Sequence, residues 1–327
     1  MRILYFSVIR QHEGWGAEWF LNNAFEGLGH ETICVDYRER RHRLAAAVRD
    51  CPPVDALLVQ RGDRFPLELV RAARVPCLFL ATELVSRRDD QHALMQWEAL
   101  GHLFVRTQEC IDEVVGRGWQ PREKVSVLLS SFDPALHRKL PDVAERDIDL
   151  LFLGGMTERR RRIIDGLPDD LNVVEVKAFG EEMVRWFNRA KIVLNIHAEQ
   201  QLDVETRIYE ALGSGAFVVS EKLAAQNPFT DGQLVQIDEP AQLEPVLRRY
   251  LADDVERERI ARAGYAAAMS AHSYRHRAEQ IVAEIERLAG GAEPRAPFGR
   301  DAAWLRLRAA EGGRRVAAAF MRLLRSA

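Results

Sequence analysis

Short apolar runs alternate with stretches whose apolar residues recur at helical spacing, and the rhythm occurs twice along the chain. In the first half, residues 2–9, 31–35, 56–60, 76–81, 103–106 and 125–128 predict strands. Between them, residues 16–28 place Ala17, Phe20, Leu21, Ala24, Phe25 and Leu28 at a period of about 3.6 and predict a helix ended by Gly29. Residues 43–49, 67–74, 92–100 and 110–116 predict further helices. The stretch 132–147 is rich in Pro, Arg, Asp and Lys, lacks a period and reads as a linker. The second half repeats the pattern, with strands at 149–153, 172–177, 192–196, 216–220 and 234–237 and helices at 242–251 and 255–269. Strands alternating with helices predict parallel sheets covered on both faces. The expectation is an α/β chain of two doubly wound, Rossmann-like domains facing across a cleft, with ligand held at the carboxyl ends of the strands.

Length and composition agree with two domains. The 327 residues are 47% hydrophobic and 29% charged, as in a globular protein. A net charge of −3 argues against nucleic acid as a partner. Cys34, Cys51, Cys77 and Cys110 form no C-x-x-C pair, so neither a zinc site nor a redox couple is predicted, and a reducing compartment is. The first strand is too short and wrongly flanked for an export signal. No run reaches the ~18 apolar residues of a membrane span. The expected location is cytoplasmic. The last segment, 293–327, differs: it holds eight Arg and three acids, split by Gly312 and Gly313. Beyond Gly313, Val316, Phe320 and Leu323 make an apolar stripe flanked by Arg. This suits either an interfacial helix on an anionic membrane surface or a helix packed on its own protein.

The sharpest chemistry lies in residues 203–223. Arg207 and Glu210, three apart, share a helix face. Gly213 and Gly215 suit the helix stop, and 216–220 is a buried strand. A cation and a carboxylate beside the end of a parallel strand suit a phosphorylated sugar. The run Arg207-Ile208-Tyr209-Glu210-Ala211-Leu212-Gly213-Ser214-Gly215 resembles the donor motif of the group 1 glycosyltransferases, which have the GT-B fold, and is nearest in feel to their CgeB-like branch.

The resemblance implies an acceptor-side domain over 1–140, a donor-binding domain over 141–290 and a helical tail over 291–327, part of it crossing back to the first domain. It implies transfer of a sugar from a nucleotide-diphosphate sugar to an acceptor hydroxyl on a sugar, a lipid-linked or a small-molecule acceptor, in cell-surface or secondary glycoconjugate synthesis. No essential cofactor or metal is implied; the nucleotide sugar is substrate. Gly155, Thr157 and either Arg159 or Arg160 would meet the diphosphate, Arg207 a phosphate and Glu210 the ribose, with Tyr209 and His197 beside them. At least two of the four consecutive Arg, 159–162, belong to a solvated face. His197 also reads as a structural histidine.

The loop 11–18 resembles the family's Gly-Gly-x-Glu acceptor loop through Gly14 and Gly16, with Trp15 where a small residue is usual. His12 or Glu13 there, or Glu83 after the fourth strand, is a candidate base; a helix cap is the plainer reading of each. Gly14, Gly16 and Asp36 half match a dinucleotide fingerprint whose third glycine is replaced by Trp19. Asp147-Ile148-Asp149 is read as a chance D-x-D. Leu202 stands where many retaining relatives keep a first Glu eight before Glu210. An epimerase or hydrolase of the same fold, and a non-catalytic binding protein, stay open as alternatives.

Overall fold

The computed structural model describes residues 1–40, 43–143, 145–199, 205–299, 304–306 and 308–309. They form two compact units: residues 1–128 with the chain from 278 onward, and residues 129–277. The first unit holds strands β1 (Arg2–Ser7), β2 (Glu31–Asp36), β3 (Ala56–Gln60), β4 (Cys77–Leu80), β5 (His102–Val105) and β6 (Val125–Val127), with helices α1 (Ala17–Gly27), α2 (Leu44–Ala47), α3 (Leu67–Arg71), α4 (His92–Met95) and α5 (Gln108–Gly116). The second unit holds β7 (Ile148–Leu153), β8 (Val173–Val176), β9 (Ala190–Asn195), β10 (Val218–Glu221) and β11 (Val235–Ile237), with α6 (Glu158–Ile164), α7 (Gly180–Arg189), α8 (Thr206–Gly213), α9 (Leu243–Ala252) and α10 (Asp254–Ala271). Helix α11 (Tyr274–Ala289) begins in the second unit and ends in the first.

Both sheets are parallel throughout. The order is β2-β1-β3-β4-β5-β6 in the first and β11-β10-β9-β7-β8 in the second. Each sheet reverses its winding once, between β1 and β3 and between β7 and β9. Helices on either side of the reversal diverge there, and the gap outside the strand ends is where open α/β sheets hold ligands. The central strands are largely apolar because both faces are covered. Ile3, Leu4, Tyr5 and Phe6 of β1 and Leu150, Leu151 and Phe152 of β7 are wholly buried. Each such leucine or phenylalanine contributes about 2 kcal/mol of transfer free energy.

Two expectations are corrected. The stretch 132–147 is not a linker between units; it packs within the second. Phe132 is wholly buried, and its N–H and C=O bond to His272 and Tyr274. Arg146 donates to the carbonyls of Ala190 (2.6 Å) and Gly215 (2.8 Å), and Asn188 accepts from the Leu140 N–H (2.8 Å). Side chains meeting backbone hold this segment, so no apolar period marks it. The second correction concerns the end of the second unit, at Arg277 rather than 290. Glu284 of α11 stands 2.8 Å from His102 Nδ1 on β5. Arg295 then pairs antiparallel with Val54, the Arg74 N–H donates to the Pro297 carbonyl (2.8 Å), and Phe298 stacks on buried Trp304. Three helices are also shorter than predicted: α2, α3 and α4 span only four or five residues within 43–49, 67–74 and 92–100.

Among the described residues no helix is long and apolar enough to cross a membrane. The stripe beyond Gly313, and Leu202, lie outside the described residues.

Candidate functional site

In the second unit the chemistry gathers at the carboxyl ends of β7, β9 and β10. Strand β7 runs into Gly154, whose φ of +149° and close approach to Arg207 admit no side chain: a Cβ there would lie 2.5 Å from Arg207 Nη2. Gly155 follows, exposed, and Thr157 caps α6 by accepting from the Arg160 N–H (3.3 Å). Helix α6 then separates its four arginines. Arg161 pairs with Glu175 and Arg162 with Glu158, both toward solvent. Arg159 makes a bidentate pair with Glu221 at the end of β10 and donates to the His197 carbonyl (2.9 Å). Arg160 turns inward and is buried. Its Nε donates to the Ile196 carbonyl (2.8 Å) and its Nη1 to the Gly155 carbonyl (2.7 Å). Of the two candidates on this helix, Arg159 is thus tied to the frame and Arg160 reaches the strand ends.

Helix α8 begins beside them. Arg207 Nη1 donates to Asn195 Oδ1 (3.2 Å), and Asn195 is fixed in turn by the Ser220 hydroxyl (2.9 Å). The guanidinium groups of Arg160 and Arg207 both lie over the Phe152 ring, at 5.3 and 5.1 Å from its centre. Glu205 joins them. Its carboxylate is 3.1 Å from Arg160 Nη2, 3.1 Å from Arg207 Nη2 and 3.6 Å from His197 Nδ1. Burial works to raise the Glu205 pKa, but His197, Arg207 and Arg160 outweigh it and hold the carboxyl down to about 2. Burial alone would lower the His197 pKa; the Glu205 carboxylate, the Lys222 carbonyl and Glu221 together raise it. The ring is fixed by Nε2 donating to the Lys222 carbonyl (2.9 Å), and the His197 N–H donates to Glu221 (2.7 Å).

Glu210, on the Arg207 face of α8, stands 3.8 Å from Nε2 of buried His137. Burial pushes the Glu210 carboxyl up to about 7, against Arg207, and pushes His137 down to about 4. Near neutral pH this carboxyl is therefore poised between its two protonation states. Tyr209 is a correction. It is wholly buried and meets Phe229 and His272 edge to face, so it anchors α8 to the core and is not a donor contact.

The first unit has its own polar cluster. Glu13 and Gly14 are exposed, with Gly14 at φ +83°. His12, in the short 3-10 turn after β1, lies 3.9 Å from Glu18 Oε2. Burial, then the nearby Arg61, lowers its pKa, which favours a neutral ring. Glu18, wholly buried at the start of α1, is ion-paired with Arg61, whose φ of +68° is unusual for a side-chain-bearing residue. Gly16 is held by crowding: a Cβ there would lie 2.3 Å from His12 Cβ. Glu83, half-buried, stands 3.4 Å from Arg87 four residues on. The structure does not group it with His12. Asp36 accepts from the Arg38 and Glu39 N–H groups and so closes the turn after β2.

Sequence reasoning missed Glu205, Glu221, Asn195 as the Arg207 partner, and His137. Strand order alone brings β9 and β10 side by side, and only that puts Glu221 beside His197. Glu205 stood inside the motif segment and could have been found as the nearest acid to Arg207.

Residues 142–283 match the family model described as glycosyl transferase-like. No curated protein sequence matches the chain. Solved structures match along most of its length. Sucrose-phosphate synthase from Thermosynechococcus elongatus is 11% identical, covering 89% of this chain and 100% of that one at a TM-score of 0.65. HepE from Anabaena, in complex with UDP and glucose, is 13% identical, covering 88% and 100% at 0.62. WaaG, a glycosyltransferase involved in lipopolysaccharide biosynthesis, is 13% identical, covering 88% and 100% at 0.60. The chain thus has the GT-B fold of two parallel α/β units, and its second unit carries a glycosyl transferase-like sequence.

Proposed function

We propose that the protein transfers a sugar from a nucleoside-diphosphate sugar to an acceptor hydroxyl. The observation that carries this reading is the meeting of Arg160, Arg207 and His197 at the carboxyl ends of β7 and β9, with Glu210 on the Arg207 face of α8. Two guanidinium groups suit a diphosphate, and a carboxylate suits the two hydroxyls of a ribose. The solved complexes of HepE with UDP and with UDP-glucose support a nucleotide sugar as the donor class.

In this reading Arg160 and Arg207 stabilise the charge that develops on the leaving diphosphate as its bond to the sugar breaks. They are pre-oriented by neutral partners: the Ile196 and Gly155 carbonyls for one, Asn195 for the other. Taking up the acceptor proton needs a base. His12 is the best candidate, because its burial and Arg61 both favour the neutral ring.

Calorimetric titration with UDP, GDP and ADP tests the donor assignment. The parent is expected to bind at least one of them, more tightly as pH rises through about 7, because ionised Glu210 accepts ribose hydroxyls and its protonated form does so less well. Glu210→Gln is expected to lose that pH dependence and to bind about tenfold more weakly, the typical worth of a hydrogen bond to a charged group. Failure of the parent to bind any of these nucleotides sinks the reading.

A further inference from the structure

We propose that Glu205 is a resident anion of the donor site: its carboxylate occupies the place of the donor's diphosphate, and binding exchanges one anion for the other. This rests on the reading of the second unit as a nucleotide-sugar site and adds to it a residue that sets donor affinity and drives product release.

Three features point to exchange rather than scaffolding. First, the carboxylate serves no local structure. Glu205 is the N-cap residue of α8, but its side chain makes no capping bond. Its contacts are instead the three groups expected to meet phosphate, Arg160, Arg207 and His197.

Second, those groups do not depend on Glu205 for their positions. Arg160 keeps two backbone carbonyls, Arg207 keeps Asn195, both keep the Phe152 ring, and His197 keeps the Lys222 carbonyl. Removing the carboxylate leaves two oriented guanidinium groups facing one point.

Third, the side chains grade from closed to open. Arg160 is 7% exposed and Arg207 11%, while Glu205 is 20% exposed and so can leave toward solvent. Two nearly buried guanidinium groups without a counter-ion are destabilising, so an empty site needs an anion of its own. A diphosphate, carrying more charge and more acceptor oxygens than one carboxylate, satisfies the same cations better. After transfer, the returning carboxylate competes with the nucleoside diphosphate and speeds its departure.

The test titrates the nucleoside diphosphate that the parent binds, its nucleoside, and inorganic pyrophosphate, into the parent and Glu205→Gln. Exchange predicts that Glu205→Gln tightens diphosphate and pyrophosphate by about tenfold or more, since a buried charge pair no longer has to be broken, and leaves the nucleoside unchanged. Stopped-flow release of the nucleoside diphosphate should slow by a similar factor. Glu205→Asp, which keeps the charge but shortens its reach, should tighten both anions less, and it serves if the Gln variant does not fold. Diphosphate affinity that is equal or weaker in either folded variant overturns the exchange and makes Glu205 a strut. A parent that binds no nucleotide overturns the donor site itself, a separate result.

Discussion

Arg207→Ala is expected to weaken nucleoside-diphosphate binding at least ~100-fold, the scale seen when one partner of a desolvated, hydrogen-bonded charge pair is removed. The guanidinium is nearly buried, is aimed by Asn195, and lies over Phe152, so little of its contribution is lost to solvent screening. Lysine would not restore it, because an ammonium cannot reproduce the planar fork that reaches Asn195 and a phosphate together. Gly154→Ala should give a milder version of the same loss. Its Cβ would overlap Arg207 Nη2, and its φ of +149° disfavours any side chain. The change is opposite in sign to that expected of Glu205→Gln, although both residues belong to one ion pair. Titration of each variant with the parent's nucleotide checks this. Parental affinity in Arg207→Ala would remove the central residue from the proposed site.

The second large effect is on stability. Gly264 lies in α10 where that helix packs on α8, and a Cβ there would sit 2.3 Å from the Gln233 carbonyl oxygen and 2.8 Å from Leu212 Cδ2. Alanine in a helix interior ordinarily gains about 1 kcal/mol over glycine. Here the neighbour is backbone, which yields poorly, and Gly264→Ala should instead destabilise the protein by about 2 kcal/mol, as overpacked cores do. Gly27→Ala is the control: its Cβ would meet nothing within 4 Å. Thermal unfolding should place the two variants on opposite sides of the parent. Because α8 carries Arg207 and Glu210, Gly264→Ala should also weaken nucleotide binding. A melting temperature equal to the control's would mean that the helix contact has room to spare.

The central strands were legible because burial on both faces leaves mainly apolar residues, as in Cys77–Leu80 of β4 and in β3 up to Gln60. Arg207 and Glu210 were legible because their spacing on one helix is a local property. Glu221 and His137 were not, since their neighbours are set by strand order and by a loop held through side-chain bonds to backbone. Tyr209 shows the limit of a motif. Arg207 and Glu210 of the same motif face the site, but Tyr209 between them turns into the core against Phe229. Helix α11 shows the limit of periodicity, which finds a helix without saying which unit it joins.

The division of the first unit into two stretches, with the second unit between them, has a consequence for the order in which the protein is made. Translation completes residues 129–277 before it supplies Arg295, which bridges to Val54, and most of the helix that brings Glu284 to His102. The later unit in sequence can therefore finish folding first, while the amino-terminal unit still lacks Trp304 of its core and the pair between His102 and Glu284. Aggregation risk during synthesis then falls on the first unit rather than on the one that carries Arg207 and Glu210. Ribosome-bound chains whose emerged part stops at Arg277 should resist protease across 129–277 and be cut within 1–128; equal protection of both stretches would contradict this order.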